Sequence, residues 1–311
     1  MWKFIVKRLL WLIPVVIGVS IFIFTIMYFA PGDPAFMILG SMATEEQLAD
    51  KRAELGIDQP YFVQLTAFLR DVFLKADIGR SYRTNQSVFT QIMTRLPYTL
   101  RLALGSTILS LLIGVPLGVV AATHQNTWKD NASMVTSLFF DSMPNFWFAL
   151  LLVILFSLTL RWLPSTGATS FKHYIMPWVA MALGGAGGIA RQTRSSMLEV
   201  IRQDFISTVR AKGQRERVVL YYHALRNALI PIITIIGMSI ASMFGGALIS
   251  EAIFSIPGVG SYMLLSIDNR DYPAVRGGVI IIAICFSIIM LIVDIIYALV
   301  DPRIRDQYDN S

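Results

Sequence analysis

Acidic side chains inside apolar segments are the first candidates for chemistry in this sequence. Asp141, Glu251 and Asp294 each lie in a long apolar stretch, where an ionisable group is costly and usually serves a function. The Asp141 carboxylate could line a water-filled path and bind a substrate amine, or it could hydrogen-bond backbone that the nearby Pro144 disturbs. With Asn145, these three acids form a candidate translocation path. Three scattered carboxylates do not make the chain of groups that a proton relay needs.

Motifs for catalysis or nucleotide binding are missing. No G-x-x-x-x-G-K-[ST] phosphate loop occurs, and the glycine-rich run 184–188 lies in an apolar stretch, where small residues let helices pack closely. The histidines His124, His173 and His223 show no metal-ligand spacing, and the single cysteine, Cys285, cannot form an intramolecular disulfide. We therefore expect a transport path without catalytic, cofactor-binding or metal-binding residues.

The composition indicates a membrane protein. The 311 residues are 55% hydrophobic and only 15% charged, whereas soluble domains carry about 25% charged residues. Six continuously apolar segments predict helices that cross a bilayer core of about 30 Å, and they do not alternate as barrel strands would. The predicted spans cover residues 9–30, 98–122, 135–160, 175–190, 229–253 and 274–300, the fourth being short and rich in glycine. We expect an all-α integral membrane fold with six transmembrane helices.

The distribution of basic residues predicts the orientation. Lysine and arginine concentrate in residues 3–8, in the loop 191–228 and in the tail 301–311, and the positive-inside rule places all three in the cytoplasm. The net charge of +6 is then a topology signal, favoured over a nucleic-acid-binding patch. The first apolar segment lacks a small-residue cleavage site, so we predict an uncleaved span and not a signal peptide.

The predicted organisation has four parts. These are an N-terminal transmembrane helix (1–30), an extracytoplasmic helical segment (31–96), a five-helix core (97–300) and a cytoplasmic tail (301–311). In the extracytoplasmic segment, Thr44 and Gln47 are typical of a capped helix start and Gly56 of a helix end. A second, amphipathic helix is predicted over residues 61–75. The segment is either a cap packed on the spans or part of a docking surface, and the two roles are compatible.

The loop 191–228 carries the most informative pattern. A short helix is predicted to end at Gly213, because glycine readily adopts the left-handed conformation, and a second helix follows. The mixture of basic and apolar side chains suits docking into a groove on another protein. The alternative is a basic loop lying on anionic lipid headgroups. The candidate site residues are Asp204, Thr208, Arg210, Ala211, Lys212, Gly213, Arg217, His223, Arg226, Asn227 and Pro231.

Residues 208–213 (Thr-Val-Arg-Ala-Lys-Gly) and 223–231 (His-Ala-Leu-Arg-Asn-Ala-Leu-Ile-Pro) resemble the cytoplasmic EAA loop of permease subunits from binding-protein-dependent ABC importers. More narrowly, the chain resembles the first permease of the dipeptide, oligopeptide and nickel subfamily. Further motifs that support this resemblance are Pro-Gly-Asp-Pro (31–34), Leu-Gly-Ile-Asp-Gln-Pro (55–60), Asp-Ile-Gly-Arg-Ser (77–81), Arg-Ser-Ser-Met-Leu-Glu-Val (194–200), Glu-Ala-Ile-Phe-Ser-Ile-Pro-Gly-Val-Gly (251–260), Arg-Asp-Tyr-Pro (270–273) and Asp-Pro-Arg-Ile-Arg (301–305).

Two departures from the family pattern bear on the cargo and the loop. Residues 207–209 are Ser-Thr-Val, where the general motif has Glu-Ala-Ala, a position that varies in the peptide branch. The segment 161–173 is short for a dipeptide permease and is nearer to the nickel and glutathione members. Asp141 has no counterpart in the family pattern, so the resemblance gives it no role.

The resemblance implies a type I ABC importer permease that moves short peptides into the cytoplasm by alternating access. Nickel, a metal chelate or glutathione is the alternative cargo. The implied partners are a second homologous permease, two ATPase subunits that bind ATP and Mg, an extracytoplasmic solute-binding protein and the lipid bilayer of a bacterial or archaeal plasma (inner) membrane. Residues 208–217 would then include the coupling helix, with Gly213 as its turn. A proton- or sodium-coupled carrier and a membrane-embedded hydrolase are alternatives outside this family.

Overall fold

The computed structural model describes residues 2–300, so the predicted tail 301–311 lies outside the described residues. Within this range the protein is built from α-helices, two π-helical stretches and connecting turns, which confirms the all-α prediction. The α-helices are α1 (Trp2–Phe29), α2 (Pro34–Leu39), α3 (Glu45–Leu55), α4 (Tyr61–Leu74), α5 (Val88–Thr123), α6 (Trp128–Ser142), α7 (Asn145–Leu152), α8 (Lys172–Ile201), α9 (Asp204–Ala211), α10 (Glu216–Val218), α11 (Leu225–Ile253), α12 (Val259–Asp268) and α13 (Tyr272–Val300). The π-helical stretches are Val153–Thr159, after α7, and Val219–Ala224, before α11.

The described chain divides into two compact units. The core unit comprises residues 100–256 and 289–300, and the N-terminal unit comprises residues 2–99 and 257–288. The helices α5 and α13 contribute residues to both units.

The predicted spans fall on α1, α5, α6 with α7, α8, α11 and α13. Among the described residues, four helical stretches are long and apolar enough to cross a membrane, and the pair formed by α6 and α7 makes a fifth if it is one bent span. This pair is bent by 96°, at the place where Pro144 removes a backbone donor and ends the helix. The predicted fourth span lies in α8. This helix of 30 residues is long enough to cross a membrane, but it is not one of these stretches, because its glycine and polar residues make it less apolar than the other spans.

The N-terminal unit contains the predicted extracytoplasmic helices. Thr44 and Gln47 form a reciprocal capping box at the start of α3, and Gly56 ends that helix with φ +66°, as the sequence predicts. The second helix, α4, packs against α1, where the Thr25 hydroxyl lies 2.8 Å from the Tyr61 hydroxyl. The stacked rings of Phe24 and Phe68 extend this contact.

The core unit is organised around α8, which packs against α6, α7 and α11. Small residues permit these contacts. A Cβ added at Gly187 would lie 2.5 Å from the Ser137 carbonyl oxygen, and one added at Gly118 would lie 2.5 Å from the Ala190 carbonyl oxygen. The close-packing role predicted for the glycine run of α8 is therefore confirmed at Gly187.

Candidate functional site

The predicted docking loop is attached to the core unit through the buried face of α9. Ile206 is completely buried in an apolar cluster with Val119 of α5, Met197 of α8 and Ile232 of α11. The rest of α9 is largely exposed. We call residues 202–224 the α9 loop. Its position is fixed by packing, because α9 has only eight residues and a helix of that length is not stable alone.

The end of α9 forms the turn that the sequence predicts. The Thr208 hydroxyl donates to the Asp204 carbonyl oxygen at 3.1 Å, and the Lys212 amide donates to the Thr208 carbonyl oxygen at 3.1 Å. Gly213 then reverses the chain with φ +73°, a conformation that costs a residue with a Cβ about 1 kcal/mol or more. Ala211 is the last residue of α9.

A salt bridge spans this turn. Arg210 Nη2 donates to Glu216 Oε1 at 2.6 Å and Nε donates to Oε2 at 3.2 Å. The hydrogen bond to the carboxylate raises the pKa of the Arg210 guanidinium further above its ordinary value. Both side chains are exposed, so the pair orients the turn and adds little to global stability.

The outer surface of the α9 loop combines exposed aromatic and basic groups. Phe205, Tyr221 and Tyr222 of the loop are exposed, and Arg226, at the start of the adjoining α11, places its guanidinium 5.9 Å from the centre of the Tyr222 ring. Such a mixture of aromatic and arginine side chains is typical of protein-binding surfaces.

The remaining loop candidates lie along the connection into α11. Arg217 belongs to α10, and the Asn227 side chain donates to the His223 carbonyl oxygen at 2.7 Å. Pro231 lies inside α11. The predicted loop residues are therefore spread over α9, the turn after it, α10, the π-helical stretch and the start of α11.

A cavity of about 420 Å³ lies in the core unit beside the break between α6 and α7. Asp141 and Asn145 both line it, so the structure brings these two predicted path residues together. Glu251, which is fully buried in α11, and Asp294, in α13, are not among the lining residues. The other lining residues come from the helix break, α8 and α11: Met143, Pro144, Met181, Gly184, Gly185, Gly188, Ser239, Met243 and Gly246.

The Asp141 carboxylate has an arginine partner that the sequence did not reveal. Arg191 Nη2 donates to Asp141 Oδ2 at 2.6 Å, with 42% of the Asp141 side chain and 35% of the Arg191 side chain exposed. One of the two predicted roles for Asp141 was a hydrogen bond to backbone near Pro144. In the described residues its carboxylate forms this ion pair instead. Arg191 Nη1 is buried without a hydrogen-bond partner in the described part of the chain.

A second ion pair between α6 and α8 was missed by the sequence reasoning. The Asp130 side chain is only 3% exposed and accepts from Arg194 Nε at 2.6 Å and Nη2 at 2.7 Å. The Asn126 amide donates to the same carboxylate at 3.0 Å. Two signals were available, an acid in the first turn of α6 and an arginine just after the fourth predicted span, since buried charges require partners.

Comparison with known protein families shows to which family the chain belongs. The family model described as the binding-protein-dependent transport system inner membrane component matches residues 114–306, and the model of its N-terminal part matches residues 1–103. The chain belongs to this family. It is therefore a multi-pass inner-membrane permease, as the resemblance of its loop motifs implied.

Several relatives match this permease over nearly its whole length. The dipeptide transport system permease protein DppB of Alkalihalophilus pseudofirmus is 40% identical over 98% of this chain and 100% of its own. A putative peptide transport system permease protein of Brucella abortus is 42% identical over 97% of this chain and 98% of its own. The glutathione transport system permease protein GsiC of Salmonella typhi is 38% identical over 98% of this chain and 99% of its own.

Solved structures support the fold. The permease resembles a chain in an inward-facing structure of the MetNI methionine ABC transporter, with a TM-score of 0.58 and 20% identity. The match covers 68% of this chain and 97% of the other, which confirms the type I importer permease fold.

Proposed function

We propose that this permease carries short peptides into the cytoplasm as the membrane-spanning subunit of an ABC importer. The observation that carries the proposal is the full-length similarity to a dipeptide permease, at 40% identity over 98% of this chain and 100% of the relative. Because the match extends over nearly the whole of both chains, it includes the segment 31–96 as well as the helical core. The cargo crosses by alternating access, in which packed helices move as rigid bodies between two arrangements.

The α9 loop is the proposed coupling site for the ATPase subunits. In this proposal two such subunits bind ATP and Mg, and the present chain supplies the transport path and leaves ATP hydrolysis to them. The exposed aromatic and basic surface of the loop enters a groove on one ATPase. Its buried Ile206 passes the motion of that groove to α5, α8 and α11, which share the same apolar cluster.

The proposed assembly follows the orientation of the basic segments. Both termini and the α9 loop face the cytoplasm, in accordance with the positive-inside rule. A second, homologous permease completes the path. A solute-binding protein delivers peptides to the opposite face, where the segment 31–96 lies.

The proposed path for the cargo passes the cavity beside the break between α6 and α7. Asp141 and Asn145 contribute polar groups to its lining. Glu251 and Asp294 remain candidates for other depths of the path, because both are ionisable residues in apolar helices.

Glutathione is a second candidate cargo. The Salmonella typhi relative named for glutathione transport is 38% identical over 98% of this chain. Glutathione is itself a small peptide with a free amino group and free carboxylates, so the same polar groups could accommodate it.

Competition for uptake into liposomes tests the proposal. The complete assembly would contain the chain, its partner permease, the ATPases and the binding protein, with ATP on the ATPase side. Uptake of a radiolabelled dipeptide would be measured against excess unlabelled dipeptide, glutathione or a nickel chelate. We expect strong competition by the dipeptide and none by the nickel chelate. No uptake of the dipeptide, together with ATP-dependent uptake of labelled glutathione or nickel chelate by the same liposomes, would keep the architecture and contradict the dipeptide cargo.

A further inference from the structure

We infer that the cavity beside the break between α6 and α7 binds the free ammonium group of a peptide, with Asp141 and Asn145 as its contacting residues. This inference rests on the proposed function, because it assigns a chemical group of the cargo to one place on the path. Arg191 acts as a positioning residue through its ion pair with Asp141.

The size and composition of the cavity suit such a ligand. Its volume of about 420 Å³ falls within the range of roughly 300–1,000 Å³ that is typical of small-molecule sites. Asp141 is the one ionisable side chain among the described lining residues, so the charged atoms at the cavity are carboxylate oxygens, which accept hydrogen bonds from a cationic donor.

The polar atoms match what an ammonium group requires. An ammonium ion has three N–H donors, and each needs an acceptor once the group leaves water. The ion pair with Arg191 occupies Asp141 Oδ2, which leaves Oδ1 to accept from the ligand. Asn145 and Ser239 also line the cavity, and the oxygens of amide and hydroxyl side chains are the further acceptors that the proposal requires.

Gly184 of α8 leaves room for the Asn145 amide. A Cβ added at Gly184 would lie 3.0 Å from Asn145 Oδ1, which is closer than most Cβ contacts. A larger residue at position 184 would therefore press on the amide that the proposal assigns to the ligand.

The apolar part of the lining accommodates varied peptide side chains. Met143, Met181 and Met243 face the cavity, and methionine adapts to differently shaped groups because it is unbranched and flexible. The cavity thus combines one fixed charged subsite with an adaptable wall, which suits a cargo class with a constant amino group and variable side chains.

Arg191 fixes the position of the carboxylate. Its guanidinium donates to Asp141 Oδ2 at 2.6 Å, and because both side chains are partly exposed, the pair orients the carboxylate more than it stabilises the fold. Arg191 does not itself line the cavity. Arg191 holds Asp141 Oδ2, and the ligand contacts Asp141 Oδ1.

Equilibrium binding without the binding protein tests the inference. The purified complex of both permeases and both ATPases would be placed in lipid nanodiscs and titrated with a radiolabelled dipeptide and with its N-acetylated form. We expect the free-amine peptide to bind about tenfold tighter, because acetylation removes the charge of the amino group and with it a charge-assisted hydrogen bond to Asp141. Asp141→Asn should abolish this difference. Equal binding of both peptides by the wild type, or binding of neither, would overturn the site.

Asp130→Asn is the matched control for Asp141→Asn. It removes the other carboxylate that α6 pairs with an arginine of α8, but Asp130 does not line the cavity. We expect Asp130→Asn to retain the preference for the free amine. Loss of that preference in both variants would show that Asp141 acts only through helix packing, and the inference would fail.

Filling the cavity gives a test that does not depend on the carboxylate. Gly188 lines the cavity, and a Cβ added there meets no atom within 4 Å, so Gly188→Leu should fold and occupy the space. Gly18→Leu in α1 is the control, because its Cβ is equally free. We expect only Gly188→Leu to lose peptide binding, and unchanged binding would overturn the site.

The uptake assay separates this inference from the proposed function. Normal peptide uptake by the wild-type assembly, together with unchanged free-amine preference in Asp141→Asn, would overturn the site alone. If the nanodisc complex shows the free-amine preference but no assembly takes up peptide, the site stands as a binding site and the proposed import function fails.

Discussion

Asp130 and Asp141 lie about three turns apart on α6, and their surroundings give them different roles. Asp130 is 3% exposed and receives two hydrogen bonds from Arg194. Asp141 is 42% exposed and faces a cavity, with one hydrogen bond from Arg191. At the scale of single residues, the first is a structural contact between α6 and α8, and the second has an oxygen left for a ligand.

Replacement of Asp130 should therefore affect stability. Asp130→Asn leaves the Arg194 guanidinium without its anion, and we expect a loss of about 2 kcal/mol, below the value for a fully buried pair because Arg194 is partly exposed. Thermal unfolding of the detergent-solubilised protein measures this loss. Glu216→Gln in the exposed pair with Arg210 is the control and should change stability by less than about 1 kcal/mol. Equal melting temperatures for wild type and Asp130→Asn would contradict the structural role.

Gly213 gives a second prediction at the residue scale. Its φ of +73° is readily adopted by glycine, is tolerated by asparagine and is strained for alanine. Proline cannot adopt it, because its ring fixes φ near −65°. A Cβ at this position meets no atom within 4 Å, so asparagine and alanine test the backbone conformation, whereas proline also removes the hydrogen bond from the Gly213 amide to the Arg210 carbonyl oxygen. We expect peptide uptake per ATP hydrolysed to decrease in the order Gly, Asn, Ala, Pro, with normal membrane insertion throughout. Full uptake by Gly213→Pro would show that this turn does not couple the ATPase to transport.

Among the elements, α9 has two faces with separate tasks. Ile206 is completely buried, whereas the adjacent Phe205 is 36% exposed. Ile206 attaches the helix to the core unit, and Phe205 belongs to the surface that is proposed to dock in a groove on the ATPase subunit.

Substituting each of these neighbours separates attachment from docking. Ile206→Ala should cost about 3 kcal/mol of stability, since it empties a well-packed site. Phe205→Ala should leave thermal stability unchanged but weaken ATPase association about tenfold, as the loss of an aromatic anchor does at other interfaces. Thermal unfolding and co-purification of the ATPase subunits measure the two effects. Full ATPase association of Phe205→Ala would contradict the docking role of this face of α9.

The sequence predicted the local features of these elements well. The capping box of Thr44 with Gln47, the helix ends at Gly56 and Gly213 and the break at Pro144 each depend on residues that are neighbours in the chain. The arginine partners of Asp141 and Asp130 were not predictable in the same way. They are 50 and 64 residues distant in sequence, and only the packing of α8 on α6 brings them together.

At the scale of the whole molecule, the long apolar segments of the sequence were sufficient to predict an all-α membrane fold. The span in α8 gave the weakest sequence signal, because its glycines serve helix contacts such as that between Gly187 and Ser137 and lower its apolar character. The composition of a helix buried among other helices is set by those neighbours, which a hydropathy pattern cannot show. The division into a core unit and an N-terminal unit likewise joins segments that are distant in sequence.

The central claim is that peptide flux through this permease depends on ATP hydrolysis by its partner subunits. The most direct measurement is the initial rate of dipeptide uptake by liposomes that contain the complete assembly, with active or catalytically inactive ATPases. We predict that uptake requires ATP and active ATPases and persists when a proton ionophore is added. Uptake by this chain alone, driven by a proton gradient without ATP, would contradict the claim.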